Sequence, residues 1–181
     1  MITTSWGGTR RTAPSLAVAA ALLTGLTACA GSAGYTTPKS LCDRTVDPDL
    51  LKPLLPDGEK VKAEQQAVGD PTTSKCVVTV DGSNALYVNE YRDQNYLDVQ
   101  KEQQKTSADR NPQPSGTSEN AVITDDAYVS LSPCPERGSK SNYILRITRA
   151  VPLDQARKQR SELEKFATAY RPEGLRAMGC R

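Results

Sequence analysis

The residue types available for catalysis are restricted, because the 181-residue chain contains no histidine. This excludes Ser-His-Asp and Cys-His systems and an imidazole general base. The remaining candidates are the adjacent acids Asp125 and Asp126 and the segment Ser139-Lys140-Ser141. Two acids can act as general acid and base in a hydrolase. Adjacent acids before a strand are more typical of a solvated turn, and serine beside lysine in a hairpin connection is typical of a loop. We therefore predict no catalytic residue.

Four of the five cysteines, Cys42, Cys76, Cys134 and Cys180, form an even set once Cys29 is assigned as described below. In an exported domain an even set indicates two disulfides. Three pairings are possible, and Cys42–Cys76 with Cys134–Cys180 is favoured because sequence neighbours meet most easily. Each bond would lower the conformational entropy of the unfolded chain and so stabilise the fold by about 3–4 kcal/mol. The alternative is a metal site, but the chain has no CxxC spacing. We expect neither a metal nor a cofactor.

The N-terminus has the organisation of a secretion signal. Residues 1–11 contain Arg10 and Arg11 and no acid, and Leu16 to Leu26 is an apolar run of 11 residues. A membrane-spanning helix needs about 20 apolar residues, so this run fits the core of a signal peptide instead.

The segment that ends this run, Leu26-Thr27-Ala28-Cys29, resembles the bacterial lipobox. The resemblance implies that the Cys29 thiol receives a diacylglyceryl group and that cleavage occurs before this residue. Two acyl chains give stable anchoring, so the predicted location is the extracytoplasmic face of the cell membrane. The alternative is cleavage after Ala30 by ordinary signal peptidase, because Ala28-Cys29-Ala30 has an A-x-A pattern. That cleavage would release a soluble secreted protein.

Composition limits the partners of the mature protein. Removal of residues 1–28 leaves 153 residues, the size of one domain, with 21 basic and 21 acidic side chains. A formal charge of zero implies no nucleic acid and no anionic lipid headgroup as a partner. The single tryptophan, Trp6, belongs to the signal. Aromatic-lined ligand pockets are therefore difficult to build in the mature domain.

The predicted organisation is a signal peptide at 1–28, a lipidated cysteine with a flexible tether at 29–40, and a single domain at 41–181. Within the domain, Thr106 to Asn120 is a run of 15 polar residues with two prolines and one glycine. A loop of this length is either mobile or functional, and its composition favours a mobile loop.

Two hairpin–helix units are predicted in the domain. In the first, Cys76 to Val80 and Ala85 to Tyr91 pair through an Asp81-Gly82 turn. A helix capped by Asp93 then runs from about Gln94 to Lys105, with Tyr96, Leu97 and Gln100 on its inner face.

The second unit pairs a strand containing Ala127, Val129 and Leu131 with a strand whose Tyr143, Leu145 and Ile147 share one face. A helix then runs from after Pro152 to about Tyr170. It carries a core-facing stripe of Leu163, Phe166, Ala167 and Tyr170 and ends at Pro172 and Gly174. Ahead of both units, Asp47 is an N-cap candidate directly before Pro48. The predicted fold is therefore α+β, with an antiparallel sheet of four or more strands, helices packed on one face, and two disulfides.

One strand face carries a candidate binding surface. Tyr87, Asn89 and Tyr91 lie opposite Leu86 and Val88, so they would be exposed if one side of the sheet were open. An exposed Tyr–Asn–Tyr row suits a glycan or a partner protein. The alternative is that these residues support the core.

The chain as a whole resembles small secreted lipoproteins of actinobacteria. The shared features are an Ala-rich signal, the LTAC segment, a Gly/Ser/Thr tether, Leu41-Cys42 at the entry to the domain and Gly179-Cys180 near its end. This resemblance implies location and disulfides but transfers no activity. We predict a non-enzymatic binding or protein-interaction module, held to the membrane by lipid on Cys29 and meeting an envelope protein or a cell-wall component. The alternatives are a two-carboxylate envelope hydrolase using Asp125 or Asp126, and a carrier of a small apolar ligand between helices and sheet.

Overall fold

The computed structural model of the protein describes residues 34–180. The predicted signal peptide and Cys29 lie outside the described residues. Within them the strands are β1 (Ser40–Leu41), β2 (Arg44–Thr45), β3 (Val61–Gln66), β4 (Thr73–Val80), β5 (Ser83–Gln94), β6 (Gln113–Pro114), β7 (Ala121–Ile123), β8 (Ala127–Pro133) and β9 (Asn142–Arg149). The helices are α1 (Pro48–Leu51), α2 (Val99–Thr106), α3 (Leu153–Lys158) and α4 (Arg160–Ala177).

The main sheet has seven strands in the order β3-β4-β5-β9-β8-β7-β6, and every neighbouring pair is antiparallel. Both predicted hairpins are present, as β4–β5 and β8–β9. The β4–β5 turn contains Asp81 and Gly82, both with positive φ, which is the conformation that a two-residue hairpin turn favours. The predicted α+β class and antiparallel sheet of four or more strands are confirmed.

One side of the sheet, here called the closed face, is covered by α4. The helix stripe predicted above is buried there, with Leu163, Phe166, Ala167 and Tyr170 at most 2% exposed. These residues belong to one core with the inward side chains of the central strands, among them Leu86, Val88, Tyr143, Leu145 and Ile147. The buried residues of α4, spaced three or four apart, therefore pack on strand residues that alternate at every second position.

The helix of the first hairpin–helix unit, α2, differs from its prediction in its start and in the side of the sheet on which it packs. The prediction placed its start near Gln94 with Asp93 as cap, but β5 continues to Gln94 and α2 is capped by Asp98, whose Oδ1 accepts from Lys101 N at 3.0 Å. Val99 packs against Val129 and Leu131, which point away from the closed face. Tyr96, predicted on the inner face, precedes the helix and is 74% exposed.

The end of α4 also differs from its prediction. Pro172 lies inside the helix, which continues to Ala177. A proline within a helix removes one backbone hydrogen bond, so packing has to compensate for it. Two residues later, Gly174 is buried beside the Tyr143 hydroxyl and the Glu90 carboxylate. Cys180 then ties the chain to Cys134 just after the helix ends.

Both disulfides have the predicted pairing, Cys42–Cys76 and Cys134–Cys180. All four cysteines contact the core on the closed face. Asp47 is the N-cap of α1, as predicted, and its Oδ1 accepts from Asp49 N at 2.9 Å. The described part of the chain contains no helix that is long and apolar enough to cross a membrane.

Two segments predicted as irregular make specific contacts. Residues 34–40, assigned above to the tether, are joined to the domain by hydrogen bonds such as Tyr35 Oη to the Pro56 carbonyl at 2.7 Å. The segment 106–120, for which a mobile loop was favoured, contains β6 and a buried Ser115 whose hydroxyl donates to Glu164 at 2.5 Å.

Candidate functional site

The side of the central strands opposite the closed face carries the predicted Tyr–Asn–Tyr row. Tyr87, Asn89 and Tyr91 alternate along β5 with Leu86, Val88 and Glu90, which point into the core. All three residues of the row are partly exposed. Because α2 packs over the β7–β8 end of the sheet, we call the outer surface of β4, β5 and β9 the open face.

Strand pairing places two cations beside the centre of this row. Asn89 pairs with Lys75 on β4 and with Arg146 on β9, so the three residues form one cross-strand line. Since neighbouring strands lie about 4.8 Å apart, the backbones of Lys75 and Arg146 are about 10 Å apart. We call this line the Lys75–Asn89–Arg146 row.

Tyrosines border that row on both sides. Tyr87 lies two residues before Asn89 along β5, between Val77 on β4 and Thr148 on β9. Tyr91 lies two residues after Asn89 and pairs with Ile144 on β9. The open face therefore has two positive charges at its centre with an aromatic residue above and below.

The two cations of the row have no carboxylate partner among the described residues. Arg146 also lines a hollow of about 310 Å³ that contains Asp109 and Asp126, but the guanidinium of Arg110 forms ion pairs with both of these acids. On the neighbouring edge strand β3, Lys62 and Glu64 form an ion pair with each other, so they offset one another and leave the two cations of the open face uncompensated among the described residues.

The adjacent acids Asp125 and Asp126 do not form the solvated turn that was predicted. Asp125 is 1% exposed and pairs with Arg157 Nη2 at 2.9 Å and Arg160 Nη1 at 3.4 Å. Asp126 is 9% exposed and pairs with Arg110. Burial of a carboxylate is costly unless a cation compensates it, which explains why both acids are bound by arginines.

The same contacts explain the arginines of the last two helices. Arg157 and Arg160 bind Asp125 and do not pair with the acids that follow them on α4. One of those acids, Glu164, accepts from Ser115. Sequence reasoning missed this cluster because 32 residues separate Arg157 from Asp125.

The segment Ser139-Lys140-Ser141 lies in the β8–β9 connection, as predicted. The Ser141 hydroxyl donates to Asp93 Oδ1 at 3.1 Å, and Asp93 also pairs with Arg137. These hydrogen bonds, with that of Arg137 first, lower the pKa of Asp93. The contacts stabilise the loop and do not join serine to lysine.

A groove lies at the end of the sheet where β8 finishes. It has a volume of about 780 Å³ and adjoins a hollow of about 390 Å³ that shares Tyr96, Pro133 and Asn142 with it. The groove is bounded by the segment before α2, residues 118–120 and the C-terminal part of α4. Sequence reasoning did not identify it, because its walls come from five separate parts of the chain.

The closed face contains a buried polar cluster around Glu90. Its carboxylate, 1% exposed, pairs with Arg44 Nη2 at 3.0 Å and accepts from the Tyr143 hydroxyl at 3.0 Å. Burial, together with the nearby Glu90 carboxylate, raises the pKa of the Tyr143 and Tyr170 hydroxyls. The cluster joins β2 to the central strands, and Arg44 at its edge keeps 13% of its side chain exposed.

A metal centre does not form among the described residues, where no group of three or more cysteine or acidic side chains is suitably placed. No protein-family model, no curated protein and no solved structure matches this chain.

Proposed function

We propose that the protein is a lipid-anchored, extracytoplasmic interaction module that binds an acidic protein surface through its open face. The observation that carries this proposal is the Lys75–Asn89–Arg146 row between Tyr87 and Tyr91. Two cations that have no carboxylate partner among the described residues, on a partly exposed sheet, attract an anionic partner and orient it.

The residue types of the open face suit a protein partner. Tyrosine and arginine are enriched at protein–protein interfaces, because each combines an extended contact area with hydrogen-bonding groups. A sheet surface formed by three strands is broad, so it fits another surface better than it fits a small molecule.

The location rests on the sequence and is supported by the disulfides. Leu26-Thr27-Ala28-Cys29 follows an apolar run of signal-peptide length, and the domain has two disulfides of a kind that persists in oxidising compartments. An anchored module would meet its partner at the membrane surface.

Anchoring is tested by growing cells with an alkyne-labelled fatty acid. The wild type should incorporate the label and sediment with membranes, and Cys29→Ala should do neither. Wild-type protein without label, recovered from the medium, would show that the alternative cleavage after Ala30 operates.

The open face is tested by carbodiimide cross-linking on envelope preparations that contain the full-length protein. This reagent joins a lysine amine to a carboxylate in direct contact with it, so it reports both the site and the acidic nature of the partner. We expect mass spectrometry to find one recurrent partner peptide joined through Asp or Glu to Lys75.

The matched control is Lys52, an exposed lysine outside the open face. The Lys75 product should decrease when Arg146→Ala is introduced, while products of Lys52 should not change. The proposal would be contradicted if Lys75 were cross-linked to as many different peptides as Lys52 is, and if Arg146→Ala did not change the amount of the Lys75 products.

A further inference from the structure

The groove at the end of β8 has the composition of a ligand site, and it is separate from the open face. We infer that it binds a short oligosaccharide. Its volume of about 780 Å³ lies within the range that small-molecule sites occupy. The adjoining hollow extends the space along Tyr96 and Pro133, which suits an elongated ligand.

Tyr96 provides an aromatic platform at the rim of the groove. It is one of two large hydrophobic side chains that are exposed among the described residues, at 74%, the other being Leu97. The backbone beside it is fixed, because Asn120 Nδ2 donates to the Leu97 carbonyl at 2.7 Å and Asn120 Oδ1 accepts from Val99 N at 3.0 Å. An exposed ring on a fixed backbone can stack on the C–H face of a sugar with little ordering cost.

Unused hydrogen-bonding groups line the interior of the groove. Ser132 is only 9% exposed, and its hydroxyl has no partner among the described residues. Asn142 donates from Nδ2 to the carbonyls of Gln94 and Lys140, both at 3.1 Å, which fixes the amide and leaves Oδ1 available. Arg171 lines the same groove and has no ion-pair partner in the described part of the chain.

This set of groups matches the chemistry of a saccharide. Sugar hydroxyls both donate and accept hydrogen bonds, as serine hydroxyls do, and the amide oxygen and guanidinium supply an acceptor and donors. A groove hydroxyl or amide oxygen without an internal partner can exchange its water for a sugar hydroxyl, and the new hydrogen bond offsets the desolvation of both groups. Leu131, Pro133, Pro172 and Leu175 add apolar contact area for ring carbons.

The inference is tested with the full-length protein in detergent and defined probes: tetra-N-acetylchitotetraose, cellotetraose, maltotetraose and tetragalacturonic acid. Saturation-transfer NMR and calorimetry should detect binding of at least one probe at millimolar concentration. Tyr96→Ala should weaken that binding about tenfold or more, and Tyr96→Phe, which keeps the ring, should retain it. Ser132→Ala should also weaken it.

Two matched controls separate this site from its surroundings. Leu97→Ala removes the neighbouring exposed apolar side chain, which does not line the groove, and Tyr87→Ala removes a tyrosine of the open face; neither should change saccharide binding. Absence of binding for all four probes, or binding that Tyr96→Ala leaves unchanged, would overturn the inference. So would binding of a proline-rich decapeptide in place of every saccharide. None of these results depends on carbodiimide cross-linking through Lys75, so the two proposals fail separately.

Discussion

The charged side chains on the two faces of the central sheet differ in their burial and in their partners. On the closed face Glu90 is buried and joined to Arg44 and Tyr143, and the buried Arg149 donates to the carbonyls of Leu54 and Ala156. Burial lowers the pKa of Arg149, which shows how unfavourable this environment is for a charge. On the open face Lys75 and Arg146 have no such partner within the described residues.

This difference indicates which charges serve the fold and which remain available for binding. A buried charge must be compensated inside the molecule, so pairing on the closed face is a condition of stability. The cations of the open face are partly exposed, so we expect them to add little to stability. Their alignment with two tyrosines has no structural purpose that the contacts reveal.

The largest effect should follow removal of the buried carboxylate charge. Glu90→Gln leaves the Arg44 guanidinium beside a neutral amide in the core, and loss of one member of a buried pair costs about 3–5 kcal/mol. Urea unfolding should therefore show a large drop in the free energy of unfolding. The control Glu162→Gln breaks a surface pair with Lys165 and should cost at most about 0.5 kcal/mol. Equal effects would contradict the distinction between the two faces.

A smaller effect, with a diagnostic sign, is expected at the contact between α4 and this cluster. In an open helix position Gly→Ala stabilises by about 1 kcal/mol. At Gly174 a Cβ would overlap the Tyr143 hydroxyl and lie 2.5 Å from Glu90 Oε1, so Gly174→Ala should destabilise the fold by about 1–3 kcal/mol. Ala169→Gly on the exposed side of α4 should follow ordinary helix propensity. Stabilisation by Gly174→Ala would show that the closed face is less tightly packed than described.

The tyrosines of the closed face should make stability sensitive to alkaline pH. The raised pKa values of Tyr143 and Tyr170 mean that the folded protein keeps protons that the unfolded chain releases above about pH 10. Their contribution is fully present below that pH and decreases above it, by at most about 1.4 kcal/mol per pH unit for each tyrosine. Unfolding measured from neutral pH to about pH 11 should show this loss, and Tyr143→Phe should reduce its slope. A stability curve that is flat above pH 10 would contradict the prediction.

The smallest effect on stability is expected on the open face. Lys75→Ala, Arg146→Ala and the double variant should change the free energy of unfolding by no more than about 0.5 kcal/mol, because neither cation has an ion-pair partner in the part of the chain that the structure describes. Thermal and urea unfolding measure this directly. A loss of 2 kcal/mol or more would mean that these cations support the fold after all.

The parts of the structure that sequence could predict are those with local signals. The Asp81-Gly82 turn fixes the β4–β5 hairpin, the spacing of Leu163, Phe166, Ala167 and Tyr170 identifies the buried side of α4, and four cysteines in order favour neighbour pairing. β3 was missed because its residues are mostly polar and exposed, as suits an edge strand.

The candidate sites depend on contacts that no local pattern contains. Tyr87, Asn89 and Tyr91 could be placed on one strand face from alternation alone. The addition of Lys75 and Arg146 required the register of three strands. Arg44 and Glu90 are far apart along the chain, and the groove combines residues from Tyr96 to Leu175. The turn at Asp125-Asp126 was misinterpreted for the same reason, since its arginines come from distant segments.

The cations of the open face should bind a partner and should be dispensable for folding. The most direct test recovers the partner from cross-linked cells with two full-length double variants that each remove two positive charges. Lys75→Ala/Arg146→Ala acts on the open face, and Lys52→Ala/Lys158→Ala acts on exposed positions elsewhere. We predict that both variants fold and reach the membrane like the wild type, and that only the first loses the partner. Equal recovery of the partner with both variants, or equal loss, would contradict the claim.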